Sequence, residues 1–155
     1  MTTFWISLSL LLIPAALAEV PTGCATLKSV KSGKFLAADT KTQGEKLKFI
    51  IGKENDPEKW EIAKSGENFT ILNKKSGENM MAFGAAFDSV RSVFTVKPET
   101  TVHTKEWKID QQGDFYSISN VKHPGCLYIG EYDNAYSKDD GKCSEEQYKW
   151  EIKSC

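Results

Sequence analysis

The chain has 155 residues, with 20 basic against 21 acidic side chains, a formal charge of −1, and Lys and Glu scattered along its whole length. That balance excludes the broad positive field by which proteins gather nucleic acid or anionic membranes, so neither kind of partner is expected. No apolar run reaches the about 20 residues that a bilayer-spanning helix needs.

Residues 1–18 read as a secretory signal peptide. An apolar stretch from Ile6 to Ile13 and a Pro14 break precede Ala16-Leu17-Ala18, the small-x-small cleavage pattern ahead of Glu19. The segment before the apolar run, Met1 to Trp5, carries no Lys or Arg. The mature protein is therefore expected to begin near Glu19, to be secreted and extracellular, and to form one domain over residues 19–155.

Leu27-Lys28-Ser29-Val30 alternates as a strand does, Ser32-Gly33 marks a turn, and Phe35-Leu36-Ala37-Ala38 predicts a second strand. Apolar Phe49-Ile50-Ile51 follows, then Trp60-Glu61-Ile62 and a turn over Lys64-Ser65-Gly66-Glu67. Asn68-Phe69-Thr70 is a glycosylation acceptor, which favours a surface turn at Asn68.

The same order then recurs, as Phe69-Thr70-Ile71-Leu72, Ser76-Gly77, Met80-Met81-Ala82-Phe83, apolar Phe94 and Val96, and Trp107-Lys108-Ile109 with a turn at Gln111-Gln112-Gly113-Asp114. It recurs once more in Tyr116-Ser117-Ile118, Pro124-Gly125, Leu127-Tyr128-Ile129 and Trp150-Glu151-Ile152. Two landmarks, the turn glycine and the tryptophan, thus share a period of about 45 residues, and three copies (24–67, 68–114 and 115–155) fill the mature chain. Each copy has room for four short strands. No long 3.6-period stripe appears in the mature chain.

A propeller needs four or more blades of this size and a β-helix repeat is far shorter, so three units closing on themselves remain. The expected fold is all-β: a β-trefoil of three pseudo-symmetric four-strand repeats. No single unit can bury its apolar face alone, whereas three around an axis can, and closure removes exposed edges. Trp60, Trp107 and Trp150 are expected in the core, with Phe35, Leu36, Phe49, Ile50, Ile51, Met80, Phe83, Phe94 and Val96.

Four cysteines, Cys24, Cys126, Cys143 and Cys155, suggest two disulfides in an oxidising compartment, and three connectivities are open. With the histidines, His103 and His123, they do not supply a zinc spacing, so neither a metal nor a cofactor is expected. No nucleophile, base and orienting partner stand together either, and the chain reads as a binding protein without catalytic residues.

The repeats resemble those of the ricin-type β-trefoil lectins, which carry a Ser-Gly turn, a Cys-Leu-Asp-Val strand and a Gln-x-Trp strand. The likeness is sharpest at Gly125-Cys126-Leu127-Tyr128-Ile129 followed by Cys143. It implies an intra-repeat disulfide between Cys126 and Cys143, leaving Cys24 and Cys155 to join the chain ends. The departures are as informative. Where sugar-binding members place the galactose-binding Asp, this chain has Ala37, Met81 and Tyr128; where they place the Gln, it has Glu58, Lys105 and Tyr148. The fold-forming half of the motif survives and the usual galactose site does not. The chain also resembles, less sharply, a group of secreted mosquito salivary β-trefoil proteins rich in cysteine and tryptophan, which implies a host- or food-directed binding role in saliva.

One asymmetry breaks the repeat. All five tyrosines, Tyr116, Tyr128, Tyr132, Tyr136 and Tyr148, fall in the third copy, beside Glu131, Asp133, Asn134, Asp139, Asp140 and Gln147. Sugars present apolar CH faces beside hydroxyls, so their sites pair a flat aromatic with a phenol or carboxylate. Tyr128, Tyr132, Asp133, Asn134, Tyr136 and Gln147 are accordingly the candidate ligand-binding residues. The plainer reading makes Tyr116 and Tyr148 half-buried strand residues and the acidic loop a solvated surface. The acidic residues lack the spacing of an EF-hand, so calcium is a poorer account of them. A second surface runs from Met80 through Gly84-Ala85-Ala86 to Phe87, where burial of Phe87 is expected and its exposure would offer an anchor for a protein.

Two functions follow. The first is a secreted, lectin-like monomer recognising a glycan or glycoprotein through the third repeat. The second is a protein-binding or inhibitory β-trefoil, a salivary-type effector or protease-inhibitor-like module, acting on a host or extracellular protein without sugar.

Overall fold

The computed structural model describes residues 19–43, 47–101 and 104–155; the expected signal segment 1–18 and His103 lie outside them. Period-two alternation becomes twelve strands among the described residues. They are β1 (Gly23–Ser29), β2 (Phe35–Gln43), β3 (Leu47–Lys53), β4 (Trp60–Ser65), β5 (Asn68–Asn73) and β6 (Glu78–Ala82), followed by β7 (Val90–Val96), β8 (Glu106–Gln112), β9 (Phe115–Asn120), β10 (Cys126–Ile129), β11 (Ala135–Lys138) and β12 (Trp150–Ser154). Two single turns of 3₁₀ helix, Glu131–Asp133 and Glu146–Tyr148, interrupt the last quarter. No helix among the described residues is long and apolar enough to cross a membrane.

Six strands close a ring by antiparallel pairing, in the order β1, β4, β5, β8, β9, β12 and back to β1. The other six form three hairpins, β2–β3, β6–β7 and β10–β11. These hairpins are tied to one another where β7 pairs with both β3 and β11, and where Ile51 bridges to Asn134. A closed barrel capped by three hairpins is the architecture of a β-trefoil, and it leaves the barrel strands no free edge.

The tryptophans join barrel to cap. Trp60, Trp107 and Trp150 are completely buried, and their indole N–H groups donate to the carbonyl oxygens of Leu36 at 2.9 Å, Met80 at 3.0 Å and Leu127 at 2.9 Å. Each acceptor lies on the first strand of a hairpin, so each tryptophan pins a hairpin to the ring. Around them Leu27, Leu36, Ile50, Ile62, Ile71, Met80, Ile118 and Leu127 complete the core. At 1.5–3 kcal/mol per fully buried large apolar side chain, this layer is the main stabilising term.

A second device recurs at the ends of β1, β5 and β9. Ser29 Oγ accepts the N–H of Ser32, Asn73 Oδ1 those of Lys75 and Ser76, and Asn120 Oδ1 that of His123. Gly33 (φ 70°) and Gly77 (φ 69°) complete the first two of these turns in the left-handed region, where a β-carbon is unfavourable. Gly125 has a different reason to be glycine: a Cβ there would stand 2.6 Å from Ser137 Oγ. The shared spacing of the three glycines therefore conceals two requirements, one conformational and one steric.

The core expectation needs correcting in part. Leu36, Ile50, Met80, Phe94 and Val96 are buried, but Phe35, Phe49 and Ile51 are only partly so, and Phe83 is exposed. Phe49 and Phe94 instead pack with Met81 and Val96 in a small satellite cluster on the hairpin strands β3, β6 and β7. Asn68 opens β5 opposite Ser65, half-buried at a hairpin end and not in a free turn.

Cys24 is bonded to Cys155 and Cys126 to Cys143, with Cα–Cα distances of 5.4 and 5.6 Å. The first links the start of β1 to the residue after β12, strands that already pair through five residues. The second ties β10 to the loop ahead of β12.

Candidate functional site

The antiparallel register places Tyr128 of β10 opposite Tyr136 of β11, and Tyr136 opposite Ser92 of β7. Directly opposed residues on neighbouring strands project to the same face, so the three form a row. The Tyr128 and Tyr136 ring centroids lie 5.8 Å apart at 36°. Gly130 lies against both rings. A Cβ there would meet Tyr136 Cδ2 at 2.8 Å and Tyr128 Cε2 at 3.0 Å, so only glycine lets the two rings keep these positions.

Behind the row, Tyr128 meets the completely buried Tyr148 edge to face at 5.6 Å. The Tyr148 hydroxyl donates to Asp140 Oδ2 at 2.7 Å. Burial, then the hydrogen bond to Asp140, pushes the Tyr148 phenol well above its usual range. Burial of Asp140 works toward a higher pKa, yet the bonds from Tyr148 and the Lys142 N–H, with Lys138 nearby, hold its carboxyl below the usual value. Tyr128 is also raised, by burial first and then by Tyr136, Asp140 and Glu131. Both phenols therefore stay protonated and able to donate at neutral pH.

In front of the row is an open cleft of about 470 Å³, lined by Phe87, Asp88, Ser92, Tyr128, Glu131 and Tyr136 among others. Its two rims are tight turns of the same unusual kind. Asp88 (φ 48°) and Ser89 (φ 64°) are consecutive left-handed residues, and Phe87 and Val90 exchange backbone hydrogen bonds at 2.8 and 2.9 Å across them. Tyr132 (φ 55°) and Asp133 (φ 62°) form the other pair, closed by the bond from the Asn134 N–H to the Glu131 carbonyl. Four of the five non-glycine residues of positive φ among the described residues thus sit in the two turns bordering one cleft. Such geometry is costly for a residue with a side chain and concentrates at functional sites.

Phe87 is 82% exposed, which corrects the expectation of burial. It stands on a reversal of the chain outside the β6–β7 ladder, where no strand covers it. Tyr132, 90% exposed, stands on the second turn.

The structure divides the six predicted ligand-binding residues. Tyr128 and Tyr136 share the cleft just described. Tyr132, Asp133 and Asn134 line a neighbouring cleft of about 450 Å³ with Asp39, Phe49 and Ile51, on the other side of the 130–134 turn. There Lys34 Nζ donates to Asp133 Oδ1 at 2.7 Å, an exposed pair. Gln147 lines neither and donates to Glu145 at 3.3 Å. Sequence reasoning did not connect Phe87 with the tyrosines, and it passed over Asp88, Ser92 and Gly130. The signal available for the first was the apolar run from Phe83 to Phe87, which continues past the end of β6 without a polar residue.

No protein-family model matches the chain. No curated protein matches it. Solved structures do. A salivary protein from Culex quinquefasciatus, described as belonging to the Cysteine and Tryptophan-Rich (CWRC) family, is 30% identical with a TM-score of 0.81; the match covers 89% of this chain and 97% of that one. A second protein of the same description and organism is 34% identical, with a TM-score of 0.78 over 88% and 96% of the two chains. At 21% identity, the agglutinin of Rhizoctonia solani shares the fold over 88% of this chain and 98% of its own, with a TM-score of 0.68.

Proposed function

The chain belongs to the Cysteine and Tryptophan-Rich (CWRC) family of salivary proteins, and on that footing we propose that it is a secreted, monomeric lectin-like β-trefoil that binds glycans of cell surfaces or glycoproteins, without catalysis. Residues 1–18 direct its export and Asn68 carries a glycan of its own. The three units of about 45 residues are related by rotation of about a third of a turn.

The observation that carries the reading is the cleft of about 470 Å³ in which Tyr128 and Tyr136, two donors with apolar faces, stand beside Ser92 and the carboxylates of Asp88 and Glu131. Stacking surface with a few convergent polar groups is what a sugar ring requires. The shared fold of an agglutinin supports the reading by analogy. Binding is weak, because the ricin-type Asp has no equivalent here and an open cleft desolvates only one face of its ligand.

A glycan array with the mature protein, followed by titration of the best ligand, tests this. Tyr136→Ala should lower affinity about two- to tenfold, the size of a lost stacking contact, while Gln147→Ala, outside the cleft, leaves it unchanged. A wild-type protein that binds no glycan would sink the reading. In that event the exposure of Phe87 favours the second function, a surface for a host or extracellular protein, in which Phe87→Ser should abolish capture of that protein from plasma.

A further inference from the structure

We infer that the cleft selects sugars bearing a protonated amine, glucosamine-type residues, over their N-acetylated and acidic counterparts. This rests on the glycan reading above and names its ligand class.

Two observations carry it. The cleft is flanked by carboxylates on both turns, Asp88 on one and Glu131 on the other, and no Lys, Arg or His is among the described residues lining it. Neither carboxylate takes part in an ion pair among the described residues, in contrast to Asp133, which Lys34 neutralises in the adjoining cleft. The basic group nearest in sequence, Arg91, is engaged elsewhere, since it alternates with the cleft-lining Val90 and Ser92 along β7 and donates to the Gly84 carbonyl at 2.6 Å.

Among the described residues the two negative charges thus have no partner of their own, and they stand around aromatic rings. Carboxylates beside aromatic faces attract an organic cation twice over, by charge and by the ring quadrupole. The same field opposes sialyl, uronate or sulfate groups. A glucosamine ring offers CH faces for Tyr128 and Tyr136 and an ammonium group for Asp88 or Glu131. Acetylation keeps the ring and removes the charge.

Matched oligomers of glucosamine and N-acetylglucosamine, titrated into the mature protein at mildly acidic pH and low salt, isolate that charge. The glucosamine series should bind more tightly, with the difference shrinking as salt screens it. Asp88→Asn and Glu131→Gln should each cut the difference about two- to fivefold, the size of an exposed ion pair, by weakening the glucosamine series more than the N-acetylated one. Asparagine accepts the left-handed conformation at position 88, so the turn survives the substitution. Spermine, a polyamine with no sugar face, should bind less well than either series; equal binding would overturn the assignment to a sugar. If neutral or acidic glycans bind better than glucosamine, the amine preference is wrong and the glycan reading stands. If no glycan of any class binds, both fail together.

Discussion

Trp107 carries two contributions that can be separated at the bench. Its indole is completely buried between Phe69 of β5 and Asn120 of β9, and its N–H satisfies the Met80 carbonyl. Trp107→Ala should cost about 3 to 5 kcal/mol as a core aromatic deletion. Trp107→Phe, which keeps most of the packing and orphans a buried carbonyl, should cost about 1 to 3 kcal/mol. Chemical denaturation of the three proteins checks the order. Tyr148 makes a pH prediction. Its phenol is raised above the unfolded value of about 10, so the folded state holds this proton more tightly, and the gain is complete below about pH 10 and lost as pH climbs toward the raised value. Asp140 works at the other end: its depressed pKa stabilises above about pH 4 and is lost as pH falls through the folded value. Melting curves of wild type and Tyr148→Phe should differ in alkaline slope, with the variant flatter, and the variant should also lose part of the acid transition because Asp140 no longer has the phenol as donor. Identical pH profiles would show the pair to be energetically idle.

The β6–β7 connection shows how an element can be built for display at a cost in stability. A two-residue hairpin turn of this hand favours Asn-Gly, and Asp88-Ser89 instead holds two side chains in the left-handed region. Ser89→Gly should therefore stabilise the protein by about 0.5–1 kcal/mol, the relief of left-handed strain less the entropy of a glycine. Phe87→Ser should change stability by no more than about 0.5 kcal/mol, since Phe87 covers nothing. Thermal melts of both variants would show whether the turn is strained and the phenylalanine free. Gly130 belongs to the same logic on the facing turn, because its missing side chain is the room that Tyr128 and Tyr136 occupy.

For the whole molecule, the two disulfides close loops of very different length, with sequence separations of 131 and 17. In the chain-entropy model a loop of about 15 residues is worth roughly 3 kcal/mol and one of about 100 roughly 4.7. Cys24→Ser with Cys155→Ser should thus lower the melting temperature more than Cys126→Ser with Cys143→Ser, provided the barrel ring is intact in both. The opposite order would mean that the seam where the chain ends meet is held by the β1–β12 ladder alone and that the terminal bridge adds little.

The repeat period, the strand alternation and the turn glycines were enough to predict an all-β trefoil with buried tryptophans, because these are local patterns that a barrel of any three such units must obey. The pairing of cysteines came with the resemblance to a family and then with coordinates, since four cysteines leave three solutions open. The site was legible only as an excess of tyrosine in one repeat. Which tyrosines face one another depends on register between β10, β11 and β7, and the last of these belongs to a different repeat. That Phe87 joins Tyr128 in one cleft while Asp133 turns away to Lys34 depends on two backbone turns in conformations that no hydrophobic pattern encodes. Alternation specifies the face on which a side chain lies; only the closed tertiary structure decides which side chains from distant strands share that face.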